Sequence, residues 1–326
     1  MFEVSRRSFL ARSGAACAAV ATVGIPSLRP ASAQALAAIK IAPIPGDIAG
    51  NAYYAAANGY FKKAGLDATF GRMANGAAIV AAVVSGAADV GFSNVISLAI
   101  AHSKGLPITA LVPANLHVHE SPTAGLLAVK ATSQIRTARD FNNKIIAVVG
   151  LDEIPDIAVR DWLDKNGGDS KTIKEVELPF SAMKAALDAG RVDGAALDTT
   201  GDPELGKPGD TLRLVASTFD AVSMHFAPSV WFSTTGWVAK HPAQARGFVA
   251  AMRESAVWAN AHHHESAEIL ARYTRNTAEQ IDTFTRVTYG VELTPELIQP
   301  NIDVAFKYGV LKAAFPASEI ISAVSA

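Results

Sequence analysis

The chain has 326 residues, half of them apolar and 18% charged, a composition that supports a substantial core in one large domain or two medium ones. A formal charge of −1 at pH 7 leaves no basic footprint for nucleic acid and excludes it as a partner. The single cysteine, Cys17, excludes an internal disulfide.

The N-terminal stretch SRRSFLARSG, Ser5 to Gly14, carries paired Arg6 and Arg7 followed by Phe9 and Leu10. A weakly apolar run, a helix-breaking Pro26 and the small-residue sequence Ala31–Ala33 come next. This order is the plan of an export signal, and the twin arginine is its Tat form. The expectation is a leader over 1–33, cleaved after Ala33, with the Tat translocase as a transient partner and the periplasm as destination. A membrane anchor needs about 20 strongly apolar residues, which this alanine-rich run does not supply. Removing 1–33 takes four basic residues and one acid from totals of 29 and 30, leaving a mature charge of −4 and no cysteine.

From Ile39 onward, short β-rich runs alternate with helical stretches, the pattern of an α/β sheet. Strands are predicted at 39–44, 66–70, 88–92 and 107–113, separated by helices that start near Asn51, Asn75 and Val95. A second series follows, with strands at 125–130, 144–150, 174–179 and 192–198. Its helices begin at Ile154 and at Ser181, the latter as a cap. The chain then returns through 212–238 to mostly helical sequence, with Pro242, Ser266, Thr277 and Pro295 at or near helix starts.

One piece of punctuation occurs twice. Gly86 and Asp89 close a helix before a strand, and Gly190 and Asp193 do the same further along. Glycine suits a left-handed helix end, and the aspartate can bind turn amides. The repeat predicts two lobes of like construction.

Ligands of open α/β sheets bind beyond the carboxyl ends of the strands. Those ends place Ile44, Asp47 and Asn51 after the first strand, Asn75 and Gly76 after the second, and Ser93 and Asn94 after the third. In the second lobe they place Asp152, Glu153, Asp198 and Thr199. Free amides at the helix starts suit carboxylate or sulfonate oxygens. Several aspartates facing the same pocket would instead disfavour an anion. Tyr53 and Trp231 read equally as pocket walls or as core. His117 and His119, about 7 Å apart on an extended segment, make a ligand or hinge contact a better reading than a metal site, which needs further ligands. No metal and no cofactor is expected. No G-x-S-x-G, Walker A or dinucleotide glycine motif is present.

The segments NGYFKKAGLDATF (58–70) and NGAAIVAAVVSGAADVGFSNVISLAIAHSKGLPI (75–108) resemble the substrate-binding proteins of ABC importers that serve taurine, alkanesulfonates, nitrate and pyrimidine thiamine precursors. The resemblance continues more weakly through DFNNKIIAVVG, the Gly190–Asp193 corner and VAKHPAQARGFVAAMRESAVWAN. It implies a type II, two-lobed periplasmic binding protein fold with a two-strand hinge, one lobe from 34–122 plus 226–326 and the other from 123–225. It implies a non-enzymatic protein that captures a small organic solute by lobe closure and hands it to a membrane permease. By position, it assigns the pocket to the loops around 44–51, 75–76, 93–94, 152–154 and 198–200. The family's Glu-Pro after the second corner is replaced by ALDTTGDPE, where Asp202-Pro203 is a shifted counterpart. A thiamine-pyrimidine-synthase-like enzyme, an exported hydrolase and a sensing module for a membrane receptor are the rival readings.

Overall fold

The computed structural model describes residues 35–325, apart from 72, 74–75, 200–204 and 206–208 and the side chain of Ala77. The expected leader over 1–33 lies outside the described residues, as do Asn75 and the Asp202-Pro203 pair.

In chain order the strands are β1 (Ala37–Ala42), β2 (Leu66–Phe70), β3 (Val90–Asn94), β4 (Ile108–Val118), β5 (Ala124–Lys130), β6 (Ile145–Val148), β7 (Lys174–Glu177), β8 (Gly194–Asp198), β9 (Leu212–Ser217) and β10 (His225–Thr234). The helices are α1 (Gly50–Ala57), α2 (Tyr60–Lys63), α3 (Gly76–Val84), α4 (Val95–Ser103), α5 (Ile154–Lys165) and α6 (Phe180–Asp188). After them come α7 (Phe219–Val222), α8 (Thr235–Lys240), α9 (Pro242–Ala261), α10 (His263–Leu270), α11 (Ala278–Asp282) and α12 (Pro295–Lys307).

The strands form two sheets, ordered β2-β1-β3-β10-β4 and β7-β6-β8-β5-β9. In the first, β1 runs parallel to β2 and β3, while β10 is antiparallel to β3 and β4. The second repeats this plan, with β6 parallel to β7 and β8, and β5 antiparallel to β8 and β9. Each antiparallel strand therefore arrives from the other sheet, β5 directly after β4 and β10 after β9. The result is a two-lobed α/β fold whose lobes are joined by two crossings.

The repeated glycine–aspartate corner has the same geometry in both lobes. Gly86 and Gly190 take positive φ values of 78° and 66°, a conformation that costs a glycine nothing. The aspartates then bond to the neighbouring strand rather than to their own turn. Lys40 N donates to Asp89 Oδ2 at 2.7 Å, and Asp89 N returns a bond to Lys40 O at 2.9 Å. Likewise Ile145 N donates to Asp193 Oδ2 at 2.9 Å, and Asp193 N reaches Ile145 O at 2.8 Å. Each corner so fixes the start of its third strand against its first.

The core is not divided cleanly between the lobes. Ile154, Ile157 and Ala158 of α5, together with Phe219, join the apolar cluster under the first sheet. Helix α12 ties into both halves. Its Asn301 Nδ2 donates to Ala227 O on β10 at 3.1 Å. At its other end, Lys307 Nζ lies 2.5 Å from Asp161 Oδ1 and the Tyr308 hydroxyl donates to Asp164 Oδ2 at 2.8 Å, both partners on α5.

Some expected boundaries move. The fourth strand extends beyond 113 to Val118, because β10 pairs along that length as far as His225 against Val118. Helix α6 begins at Phe180 with Pro179 before it, so Ser181 lies inside the helix instead of capping it. Ser266 lies inside α10, which starts at the His262–His264 run. Thr277 does cap its helix, in a reciprocal box with Gln280.

If the two corners are equivalent, Asp89→Ala and Asp193→Ala should each cost about 1 kcal/mol of stability, the usual worth of one such bond. Their effects should add to within about 0.5 kcal/mol in the double variant, because the sites are remote. Urea unfolding of the three variants measures both quantities.

Candidate functional site

A cavity lies between the two sheets, beyond the carboxyl ends of β1, β3, β6 and β7, where an α/β sheet offers its loops and helix starts. The first sheet and its helices contribute Ile44, Ile48, Gly76, Phe92, Asn94, Asn115, Pro228 and Ser229. Val149, Glu153, Ile154, Pro155 and Phe180 come from the other side, with Ala124 and Phe219 at the crossings. The cavity has a volume of about 50 Å³. That suits a few waters or a group of a few heavy atoms.

The polar part of the wall is built around Gly76. A Cβ at this position would stand 2.8 Å from Asn94 Nδ2, 2.8 Å from Ser93 Oγ and 3.4 Å from Glu153 Oε1. Only a residue without a side chain leaves those three groups facing one another. Asn94 itself caps α4: its Oδ1 accepts from Ser97 N at 2.9 Å, and its Nδ2 donates to Ser97 Oγ at 3.0 Å. Ser97 Oγ then donates to Glu153 Oε1 at 3.4 Å, a hydrogen bond that spans the cleft. Ser93 Oγ and Asn115 Oδ1 are buried without a protein hydrogen-bond partner. Buried polar atoms left in that state are costly, and a ligand is one way to satisfy them.

Of the residues expected from the sequence, Ile44, Gly76, Asn94 and Glu153 line this cavity, and Ser93 lies directly behind Gly76. Asp152 is exposed and does not line the cavity, held at φ 57° while its N–H donates to Asp156 Oδ2 at 2.7 Å. Burial pushes the Asp156 carboxyl up to about 9, helped by the neighbouring Glu175 and opposed by Arg160. Asp198 is buried where β8 ends, opposite Ala124, and Thr199 N donates to Thr123 O at 3.0 Å. Neither Asp198 nor Thr199 reaches the cavity wall.

Asp47 belongs to a different structure. Its carboxylate is fully buried and receives Arg286 Nε and Nη2, both at 2.9 Å, Val287 N at 3.1 Å, and the hydroxyls of Tyr54 and Tyr289 at 3.1 and 2.6 Å. Burial raises the Asp47 pKa, but the hydrogen bonds and charge of Arg286, with Tyr289 and Val287, outweigh that and hold it below the ordinary range. Four of these five donors come from residues 286–289 and fix the loop after β1 to the segment before α12, and the fifth, Tyr54, ties it to α1. Asn51 is equally internal: its side chain donates to Ala114 O at 3.3 Å and accepts from Trp231 Nε1 at 3.1 Å. Trp231 is therefore core, edge-on to Phe92 and Phe248. Tyr53 is core as well, stacked on Tyr273 at 3.9 Å between ring centres.

His117 lies at the first crossing. Its Nε2 is 2.8 Å from Asp220 Oδ1 on α7, and His119 Nδ1 is 3.1 Å from the other oxygen of the same carboxylate. Burial lowers the His117 pKa, against the opposing pull of Asp220. The two histidines thus clamp one crossing to the other. Among the described residues, no three His, Cys, Asp or Glu side chains converge as metal ligands.

Ile48 falls in the expected loop 44–51, whereas Asn115, Phe180, Phe219 and Ser229 lie outside the loops expected to build the site. Phe180 follows β7 and was open to the strand-end rule already used for the other loops. Asn115 and Ser229 are polar residues inside otherwise apolar strands, which is a signal in itself. They stand opposite each other where the β4–β10 register is irregular.

The two sheets, their two crossings and the cleft between them make up the type II, two-lobed periplasmic binding protein fold. Residues 49–266 match the family described as NMT1/THI5 like, and the chain belongs to that family. A comparison with curated protein sequences gives no match. Among solved structures, the periplasmic aliphatic sulphonate binding protein SsuA from Escherichia coli is similar, with TM-score 0.71 and 17% identity over 87% of this chain and 92% of that one. The periplasmic nitrate-binding protein NrtA from Synechocystis PCC 6803 is similar at TM-score 0.72 and 14% identity, over 87% and 85%. The alkanesulfonate-binding protein SsuA from Xanthomonas axonopodis pv. citri, bound to MOPS, gives TM-score 0.71 and 15% identity, over 88% and 98%. At these identities the likeness is one of fold.

Arg286→Ala should cost about 3–5 kcal/mol at neutral pH, since it leaves the Asp47 carboxylate buried without its counter-charge. Because the folded pKa of Asp47 lies below its unfolded value, that stabilisation is present above the ordinary aspartate range. It is lost as pH falls through the depressed folded value. Thermal unfolding from pH 7 down to pH 3 should therefore show the gap between wild type and variant closing in acid.

Proposed function

We propose that this chain is the exported solute-capturing component of an ABC-type importer. The observation that carries the reading is the cavity itself, whose wall is shared between the two lobes and holds buried polar atoms with no partner in the protein. The similar solved structures named above are periplasmic binding proteins for sulfonates or nitrate, which supports a small solute of that general size. In this reading, residues 34–122 with 226–326 and residues 123–225 close on the solute by bending at the crossings near 118–124 and 217–225. The closed form then docks on a permease. The leader over 1–33 delivers the protein through the Tat translocase.

Thermal shift over a broad panel of small solutes tests capture, since a ligand at a hundred times its Kd adds about 2.7 kcal/mol to the folded state. Solution scattering should show the same solute making the particle more compact. A panel without a shift, or turnover of a solute, would overturn the reading. Ser93→Ala should weaken binding several-fold while changing stability by less than about 0.5 kcal/mol, because its hydroxyl has no protein partner to lose. Asn94→Ala should weaken binding and also cost about 1 kcal/mol through the lost cap of α4. For export, changing Arg6 and Arg7 to lysine should leave the precursor in the cytoplasm, as fractionation would show.

A further inference from the structure

Behind the cleft wall, two carboxyl groups share one guanidinium. Arg160 Nη2 donates to Asp156 Oδ2 at 3.0 Å and to Glu175 Oε2 at 2.6 Å, and Arg160 Nε adds a bond to the same Glu175 oxygen at 2.9 Å. Asp156 is fully buried on α5, one helical turn before Arg160, and Glu175 lies on β7 with its side chain 9% exposed. The remaining oxygens, Asp156 Oδ1 and Glu175 Oε1, are buried with no donor in the protein. The two side chains are nevertheless within hydrogen-bonding reach of each other.

Charge decides what joins them. Two ionised carboxylates beside one guanidinium would leave a net negative charge out of water, which is strongly unfavourable. One proton between Asp156 Oδ1 and Glu175 Oε1 removes that excess and satisfies both oxygens at once. Glu175, which takes two bonds from Arg160, is then the charged member and Asp156 the donor. Burial first and Glu175 second raise the Asp156 pKa well above the ordinary aspartate range, against the pull of Arg160. Asp152 acts on Arg160 from the turn before α5, and Glu177, on the same face of β7 as Glu175, accepts from Leu151 N at 2.9 Å. Neither brings a compensating positive charge.

The pair stands where it can act on the cavity. Asp156 Oδ2 also accepts from Asp152 N at 2.7 Å and so holds Asp152 at φ 57°, a left-handed conformation that a side chain disfavours. The turn folds Glu153 back over Gly150, where an added Cβ would stand 2.8 Å from Glu153 Cδ. Glu153, Ile154 and Pro155, directly before Asp156, line the cavity.

We propose that Asp156 and Glu175 share one proton, and that Asp156 in this neutral form is the positioning residue that holds the turn 150–153 against the cleft. The proton lies on Asp156 Oδ1 and bonds to Glu175 Oε1, while Asp156 Oδ2 holds Asp152 N. Loss of the proton sets two like charges against each other and releases the turn. The wall keeps this support whatever solute the cleft takes.

An amide has the shape of the protonated acid and keeps its hydrogen, so Asp156→Asn tests the pair. The folded protein holds a proton that the unfolded chain has lost, so wild-type stability should fall as pH rises from the aspartate range to about 9. In Asp156→Asn that fall should be absent. Its thermal midpoint should exceed that of wild type at neutral pH, with a gap that widens up to about pH 9. Glu175→Gln supplies the shared hydrogen from the other side and should behave alike, which keeps the test usable if the first variant folds poorly. The double variant leaves Arg160 without a counter-charge and should melt below either single variant. Hydrogen exchange of 150–153, corrected for its intrinsic rise with pH, should quicken several-fold in wild type as pH passes about 9 and stay slow in Asp156→Asn. A lowered midpoint in both single variants at neutral pH would mean that both carboxylates are charged, and would overturn the shared proton. Exchange of 150–153 indifferent to pH and to Asp156→Asn would overturn the positioning role. None of these readouts uses a solute, so either failure leaves solute capture standing.

Discussion

The structure depends on one topological constraint: the antiparallel strand within each sheet is supplied by chain arriving from the other sheet. β5 and β10 cannot take their places unless the backbone crosses twice between the lobes. Those crossings set where the lobes meet, and so where the cleft opens. The remaining features reinforce them. His117 and His119 share Asp220 across the two crossings, Phe219 packs into the core beneath the first sheet, and α12 holds β10 at one end and α5 at the other.

Within that frame the two halves of the chain solve one problem in the same way. A glycine ends the helix, and an aspartate three residues later pins the next strand to the first strand of its sheet. The end of β3 carries Asn94 to the cleft, whereas Asp198 at the end of β8 stays off the cavity wall. Rigidity near the site comes from a separate network, Asp47 with Arg286, Tyr54 and Tyr289, which is buried away from the cavity and holds the first loop in place. Two buried carboxylates thus lie in two places: Asp47 is neutralised by Arg286 and holds a loop, and Glu153 lines the cleft, where Ser97 Oγ donates to it.

Strand ends were readable because glycine, apolar runs and helix caps leave local marks. The second strand, α3 and the Val95 start of α4 fall where the pattern puts them. Gly76, Asn94 and Glu153 were found by the same logic, since a residue just past a strand end has few places to go. Asp47 was not readable in this way. It sits in the same kind of loop, but its partner Arg286 lies 239 positions further along, and no local pattern signals such a pair. Asn51 and Trp231 show the same difficulty, bonded to each other across 180 positions.

The sequence by itself determined the alternation of elements, the two-lobe repeat and the loops from which a site is built, because these follow from short-range periodicity and backbone preference. Only the tertiary structure decided which loop residues face the cleft and which are held in the core. That choice is made by long-range hydrogen bonds and by strand register, where a small irregularity between β4 and β10 accompanies Asn115 at the cavity wall.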